Sequence, residues 1–358
     1  MRADAGAGQG RLSRGITLST TITTRLTESL GCRHPIISAG MGGPARSELA
    51  AAVSEAGGFG LLGMVGESPE LIVREIADVR RRTARPFGVN LVPFATAPAL
   101  LANQLAACFD AHVPAMCFFW DVHPAIVDQA KNAGCLVLYQ VGSLEDAVLA
   151  QAAGADVVIV QGVEAGGHVR GHLPLSVLLA RVVEKLTIPI VASGGIADGR
   201  GLAAALESGA HGVQCGTLFL ASTESFAHDY HKQRIVAAGP GDTVHTDLFA
   251  IGWPPHAPVR VLKNSVTAAA GETLWGYHPD QLPRDVIGDD DGRPVYRCGT
   301  DSPLRSTTGD FEQMCLYAGK SSAHVAGIHP AAAIVDAMMR DATAALRGAD
   351  ARAARPAR

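Results

Sequence analysis

Between residues 35 and 240, two kinds of hydrophobic pattern alternate along the chain. Short runs that are almost continuously apolar are followed by longer stretches in which apolar residues recur at helical spacing. Buried parallel strands have the first pattern and amphipathic helices have the second. The pattern predicts eight strands, at 35–41, 58–64, 87–92, 115–120, 136–141, 157–162, 188–193 and 212–219.

The stretches between these strands predict helices that end at glycine. Gly134, Gly154 and Gly209 each follow such a stretch, and glycine just past a helix is the usual C-cap. Eight repeats of strand and helix predict a TIM (β/α)8 barrel. An open doubly wound sheet is the alternative, but no G-x-G-x-x-G turn follows the first strand. Helical spacing is clearest at 46–57, 68–82, 124–133, 143–153, 174–185 and 198–208.

On either side of the barrel the periodicity is lost. The first residues are rich in Gly, Ala, Ser and Thr, and the stretch after the eighth strand accumulates Pro, Gly, His and Asp. We therefore predict a lid-like insert over the barrel mouth, followed by helices at 311–319 and 330–347. The predicted divisions are a disordered tail (1–22), the barrel (23–240), the insert (241–310), the closing helices (311–348) and a frayed tail (349–358).

Composition excludes several classes of protein. The chain has a formal net charge of -4 and no block of five Lys or Arg, which argues against nucleic-acid partners. No apolar run is long enough to cross a membrane, and the start lacks a signal peptide. The seven cysteines form no C-x-x-C motif, so we expect no metal site or disulfide framework, and a reducing cytoplasm.

Candidate chemistry lies just after the strands, because a TIM barrel builds its active site at their carboxyl ends. Gly194-Gly195 and Gly216-Thr217 follow neighbouring strands. Such turns offer backbone N–H donors without a Cβ in the way, which suits a phosphate group. The alternative is that these glycines only make tight turns.

The loop after the sixth strand carries a histidine. Gly166-Gly167 lets the backbone pass close to a flat ligand, and His168 then emerges at the barrel mouth. A histidine there can act as an acid or a base near neutral pH, although a chain with 13 histidines also has structural ones. The amides of Asn90 and Gln161 are suited to hydrogen bonds with the edge of a flavin.

Several motifs in order resemble the nitronate monooxygenases, formerly called 2-nitropropane dioxygenases. The most specific is QGVEAGGH, and the resemblance runs from about 25 to 335. This chain has YAGK where the family has YAGQ, and Gln140 where some relatives carry lysine. The motifs are PII-AGMGG (35–43), FGVNL (87–91), QGVEAGGH (161–168), PIVASGGI (189–196), QCGT (214–217), VRVLKNS (259–265) and YAGK (317–320).

The resemblance implies bound FMN and oxidation of an alkyl nitronate by O2 to a carbonyl compound and nitrite. His168 matches the family's proposed catalytic base. A homodimer is left open. With the glycine turns included, the candidate cofactor-binding residues are Met41, Gly42, Asn90, Gln161, Gly166, Gly167, Ser193, Gly194, Gly195, Gln214, Cys215, Gly216 and Thr217.

Three alternatives share parts of this pattern. The same loop resembles flavin enoyl-acyl carrier protein reductases and quinone reductases, which use NAD(P)H to reduce FMN. A phosphate-binding barrel related to IMP dehydrogenase would need a cysteine in the loop that holds His168. A non-enzymatic scaffold would need neither the glycine turns nor this histidine.

Overall fold

The computed structural model describes residues 22–353, and so most of the predicted tail at 1–22 and residues 354–358 lie outside it. Its strands are β1 (Ile36–Ser38), β2 (Gly60–Gly63), β3 (Phe87–Leu91), β4 (Ala115–Phe119), β5 (Leu136–Val141), β6 (Val157–Gln161), β7 (Gly167–His168), β8 (Ile190–Ser193), β9 (Gly212–Cys215), β10 (Thr243–Thr246), β11 (Val259–Leu262), β12 (Val286–Asp290), β13 (Arg293–Tyr296) and β14 (Thr307–Gly309). Its helices are α1 (Arg25–Leu30), α2 (Ser47–Glu55), α3 (Pro69–Arg82), α4 (Pro98–Asp110), α5 (Pro124–Asn132), α6 (Leu144–Ala152), α7 (Leu175–Val183), α8 (Gly199–Glu207), α9 (Thr217–Leu220), α10 (Asp229–Val236), α11 (Ser265–Ala270) and α12 (Ala331–Ala353).

Eight strands form a parallel barrel in the order β1-β9-β8-β6-β5-β4-β3-β2. Backbone contacts between the two ends of this sheet complete the circle. The N–H of Ser38 donates to the Phe59 carbonyl at 3.0 Å, and the N–H of Phe59 donates to the Ile36 carbonyl at 2.9 Å. The predicted TIM barrel is therefore confirmed.

Helix α1 plugs the amino-terminal end of the barrel. Leu26 and Leu30 pack onto the apolar cluster inside the barrel, which includes Phe59. The hydroxyl of Thr24, the N-cap of α1, donates to the His211 carbonyl just before β9 at 2.6 Å. Because this end is filled, a ligand has access only from the carboxyl ends of the strands, where such barrels hold their active sites.

Two predicted elements have a different secondary structure in the protein. The strand predicted at 212–219 ends at Cys215, and Thr217–Leu220 form a helical turn. The helix predicted at 311–319 is instead a short 3-10 turn followed by extended chain. Both are short apolar runs, which pack equally well as strand or helix, so periodicity does not assign them.

Two further helices differ from the sequence pattern. Helix α4 lies between β3 and β4, where its small and apolar residues gave no clear polar face. Helix α12 continues to Ala353 and so extends into the segment 349–358, whose fraying stays a prediction.

The chain after β9 builds a second apolar cluster beside the barrel mouth, with Phe249 and Cys315 fully buried in it. Strands β10 and β11 lie antiparallel, and β11 pairs with β7 so that Val259 faces His168. Strands β12, β13 and β14 form a separate small sheet. The segment predicted as an insert thus reaches the strand that carries His168, and its action as a lid stays a prediction.

Candidate functional site

A cavity opens at the carboxyl ends of the barrel strands. All of the residues that the sequence singled out line it, although which of them touch a cofactor stays a prediction. They are Met41, Gly42, Asn90, Gln161, Gly166, Gly167, His168, Ser193, Gly194, Gly195, Gln214, Cys215, Gly216 and Thr217.

Part of the cavity is lined by backbone. Gly194 and Gly195 have φ values of +116° and +73°, a region that disfavours other residues. Among residues 22–353, no protein acceptor pairs with the backbone N–H of Gly194, Gly195 or Gly216. A Cβ on Gly194 would lie 3.2 Å from the backbone nitrogen of Ala165. These free donors suit a phosphate group, although the contact stays a prediction. Gly194, Gly195, Gly216 and Thr217 are called the phosphate cradle below.

The cradle is tied to two other loops by close backbone packing. The Thr217 hydroxyl accepts a hydrogen bond from the N–H of Gly319 at 2.9 Å. A Cβ on Gly166 would lie 2.3 Å from that same nitrogen, so only glycine fits there. Lys320, the departure from the family's YAGQ motif, is exposed. The change therefore leaves the backbone contacts of this loop intact.

Side-chain amides line the middle of the cavity. Asn90 Nδ2 donates to the Cys117 carbonyl at 3.1 Å. Gln214 Nε2 donates to Gln140 Oε1 at 2.6 Å and lies 3.3 Å from Ser193 Oγ. Gln214 Oε1 is buried and has no partner in the described part of the chain. It is an acceptor suited to a ring N–H of a flat heterocycle.

Gln161 is engaged by the loop that carries the histidine. Its Nε2 donates to the His168 carbonyl at 2.9 Å, and its Oε1 accepts from the Arg170 N–H at 3.1 Å. The side chain is 3% exposed. The geometry therefore gives Gln161 a positioning role, while its predicted contact with a flavin edge stays a prediction.

His168 also lines the cavity, and aromatic rings surround it. The Trp253 ring stacks on the imidazole with centroids 3.3 Å apart and an interplanar angle of 15°. Tyr317 and Trp120 approach the same imidazole at centroid distances of 5.8 Å and 6.3 Å. The Nε2 atom is buried without a partner among the described residues. Burial lowers the pKa of His168 to about 3, so the ring is neutral at pH 7.

Charged residues near the loop hold it in place. Glu164 Oε2 accepts from the Leu175 N–H at 3.0 Å, which braces the loop. Arg170 pairs with Asp121 at 3.0 Å and lies 5.6 Å above the Trp120 ring. Glu164 therefore braces the loop, while Arg170 is paired with Asp121.

The aromatic rings around the histidine give only a weak signal in the sequence. Trp253 lies in the Pro-rich stretch GWPPHAP and Tyr317 in the YAGK motif. The presence of an aromatic residue in each of these two stretches was the only local sign that they contribute to the site. Trp120 has a φ of +86°, which is rare outside glycine and is often found at functional sites.

Two buried thiols line the site, and the described residues form no cluster of metal ligands. Burial raises the pKa values of Cys117 and Cys215 to about 12, so both thiols are protonated and poor nucleophiles. In residues 22–353, no group of three or more His, Cys, Asp or Glu is placed to hold a metal ion. No helix in that range is long and apolar enough to span a bilayer.

Comparison with known proteins gives one family. The family model described as "Nitronate monooxygenase" matches residues 23–106 and 96–341. A "Probable nitronate monooxygenase" of Staphylococcus haemolyticus is 32% identical over 63% of this chain and 75% of its own. A "(3aS,4S,5R,7aS)-5-hydroxy-7a-methyl-1-oxo-octahydro-1H-indene-4-carboxyl-CoA dehydrogenase" of Rhodococcus jostii is 37% identical over 63% of this chain and 62% of its own.

Two solved structures are similar to this chain over more than nine tenths of its length. FabK from Thermotoga maritima superposes with a TM-score of 0.80 and 31% identity, covering 93% of this chain and 100% of that one. A nitroalkane oxidase from Streptomyces ansochromogenes gives a TM-score of 0.74 and 30% identity, covering 91% and 99%. The family match spans nearly the whole described chain, and the cavity has the donors and apolar surfaces that a flavin needs. The chain belongs to the nitronate monooxygenase family and is a flavin-dependent oxidoreductase.

Proposed function

We propose that this protein binds FMN and oxidises alkyl nitronates with O2, giving a carbonyl compound and nitrite. The observation that carries the proposal is His168, whose Nε2 is buried, neutral and unpartnered and which lines the same cavity as the phosphate cradle. The family match and the nitroalkane oxidase structure support oxidation of nitro compounds in general.

The cavity fits FMN. The phosphate cradle offers three free N–H groups to a terminal phosphate, and Gln214 Oε1 offers an acceptor to a ring N–H. Asn90 and Ser193 line the cavity between them. When bound, FMN supplies the group that accepts electrons from the substrate and passes them to O2.

His168 acts on neutral nitroalkanes by taking the α-proton at Nε2. The imidazole is unprotonated at neutral pH and is therefore able to accept it. Burial also makes the imidazolium unfavourable, but the nitronate formed beside it is an anion, and an adjacent opposite charge raises the pKa of the histidine in the complex. A preformed nitronate has already lost this proton and does not need the base.

The decisive experiment is anaerobic stopped-flow absorbance of the purified yellow protein, mixed separately with ethylnitronate and with NADH. We expect the flavin to be reduced by the nitronate and not by NADH. Rapid reduction by NADH without reduction by the nitronate would reject the proposal.

A second candidate function is NAD(P)H-dependent reduction of quinones or of enoyl-acyl carrier protein. The high TM-score with FabK and the identity with a CoA-thioester dehydrogenase favour it. His168 would then protonate or orient the acceptor, and the NADH trace in the same experiment distinguishes the two functions.

A further inference from the structure

Helices α6 and α7 present an apolar face to solvent on the outside of the barrel. The two helices pack side by side. Val148 and Leu149 of α6 are each 45% exposed, and Val177 of α7 is 39% exposed. Ala152 and Ala180 are also exposed and extend the same surface at helical spacing. These five residues are called the α6–α7 face below.

The order of residues in each helix produces this face. Ala147 and Ala150 turn the inner side of α6 towards the barrel, and Leu178, Leu179 and Val182 do the same for α7. The residues between them must then point outwards. The outer side of a helix on a soluble protein is normally polar, whereas here it is apolar on two adjacent helices.

Helix α5, which precedes α6, has the ordinary polar outer side. Its exposed residues include Asp128, Gln129, Lys131 and Asn132. Both α5 and α6 follow a barrel strand and cover the next one, so their place in the fold does not account for the difference. A contiguous apolar patch on a protein surface commonly marks a contact with another protein.

Opposite charges lie at the two ends of the α6–α7 face. Glu145 is in the first turn of α6, and Arg181 is in the last turn of α7. Helices of a parallel barrel all run back along the strands, so these two side chains lie towards opposite ends of the face. Both are exposed, and neither forms an ion pair with another described residue.

We propose that two copies of this chain associate through the α6–α7 face as a homodimer with a twofold axis. In a twofold contact the same patch of each copy meets itself, so the patch has to be complementary to itself. The apolar residues would be buried against their own copies in the centre. Glu145 would lie against Arg181 of the partner subunit, and the axis repeats this pair at the other edge.

The charges favour a second copy over other occupants. A membrane surface or a partner of one charge sign would satisfy one end of the face and repel the other. A twofold dimer pairs both ends, and an apolar centre with charges at the rim is the usual composition of such an interface. None of these residues lines the cavity, so the inference is independent of the proposed reaction.

The first test is sedimentation velocity of the full flavin-loaded chain over an about 100-fold range of concentration, because a dimer responds to concentration by mass action. We expect a dimer that dissociates on dilution. A protein that stays monomeric throughout this range would overturn the inference.

Substitutions then test whether the dimer uses this face. Leu149→Arg would bury an unpaired charge in the centre of the interface, and we expect the Kd of the dimer to rise by at least about 100-fold. Val73→Arg is the matched control, because Val73 is 48% exposed on α3, away from the face. Circular dichroism and flavin absorbance confirm that both variants are folded. If Leu149→Arg dimerises as tightly as Val73→Arg, the dimer forms elsewhere and the inference is wrong.

A charge exchange tests the twofold arrangement. Glu145→Arg puts like charges at both ends of the interface, and we expect the Kd to rise about tenfold. Glu145→Arg combined with Arg181→Glu reverses both signs and should return the Kd to within about threefold of the original value. A double variant that dimerises no better than Glu145→Arg alone would reject the pairing of these two residues, and with it the proposed dimer.

Discussion

Two parts of the cavity, the phosphate cradle and the surroundings of His168 (the histidine end), are built from different groups. The phosphate cradle is largely backbone, presented by turns at the ends of β8 and β9, and an added Cβ on Gly194 or Gly195 would lie 3.2 Å from the nearest atom. The histidine end is made of side chains, and Trp253 and Tyr317 come from the chain beyond the barrel. Backbone donors at strand ends have fixed positions, whereas stacked side chains change with each substitution.

This contrast separates cofactor binding from substrate choice. A change in the cradle should remove flavin from an otherwise folded protein. A change among the aromatic rings should alter which molecule reacts while the flavin stays.

The largest effect is expected for Gly195→Val. A Cβ at this position would lie 3.2 Å from Glu164 Cβ, and φ is +73°, so the turn should shift and move its N–H donors away from the phosphate. We expect the dissociation constant of FMN to rise on the order of 10³-fold. FMN titration of the apoprotein measures this. Gly134→Val is the control, because Gly134 has a similar φ of +81°, has nothing within 4 Å and does not line the cavity. Equal affinity in both variants would mean that the cradle does not hold the phosphate.

The next effect is expected for His168→Asn, on the other side of the contrast. Flavin absorbance should be retained, while kcat/KM for neutral nitroalkanes should fall on the order of 10²-fold, since the proton acceptor is lost. Preformed nitronates should lose less than about tenfold, because they need no base. Equal losses on both substrates would assign His168 to binding rather than to proton removal.

Gln161→Leu should have a smaller effect. The variant leaves the His168 carbonyl and the Arg170 N–H without their partners, which loosens the loop. We expect kcat to fall by about tenfold with an unchanged flavin spectrum, because a small misplacement of a catalytic group is costly. A shifted flavin spectrum with unchanged kcat would instead indicate that Gln161 contacts the flavin edge.

Lowering the pH should reduce the free energy of unfolding, because His231 is buried beside Tyr317. This side chain is fully buried and lies 3.0 Å from the Tyr317 carbonyl. Burial lowers its pKa to about 4, although the contact with that carbonyl acts in the opposite direction. The unfolded chain takes up the proton near pH 6.5 and the folded chain does not, so stability falls as the pH drops from 6.5 towards 4. The slope is about 1.4 kcal/mol per pH unit for this histidine.

Urea unfolding between pH 7 and pH 5 measures this slope. In His231→Gln, the change in the free energy of unfolding per pH unit should be smaller by the contribution of one proton. His324 is exposed, and His324→Gln should leave this slope unchanged. An unchanged slope in His231→Gln would show that His231 is protonated in the folded protein.

The sequence predicted the barrel and the cradle for a local reason. Buried parallel strands appear as continuous apolar runs, and the glycines of a phosphate turn follow directly in the chain. The stacking of Trp253 on His168 joins residues far apart in the chain, and so does the pairing of Val259 with His168. Hydrophobic periodicity does not predict contacts between residues far apart in the chain, so the aromatic surroundings of His168 are seen only in the structure.

The pairing of β11 with β7 has a consequence for the order of folding. Because Val259 must return across the whole of β8 and β9 to reach His168, this contact closes a long loop and is entropically slow to form. We expect refolding to restore FMN binding before Trp253 fluorescence reaches its native value, and simultaneous recovery would contradict this order. A newly made chain would then acquire its cofactor before His168 is in place, and a partly folded molecule would hold flavin without turning over substrate.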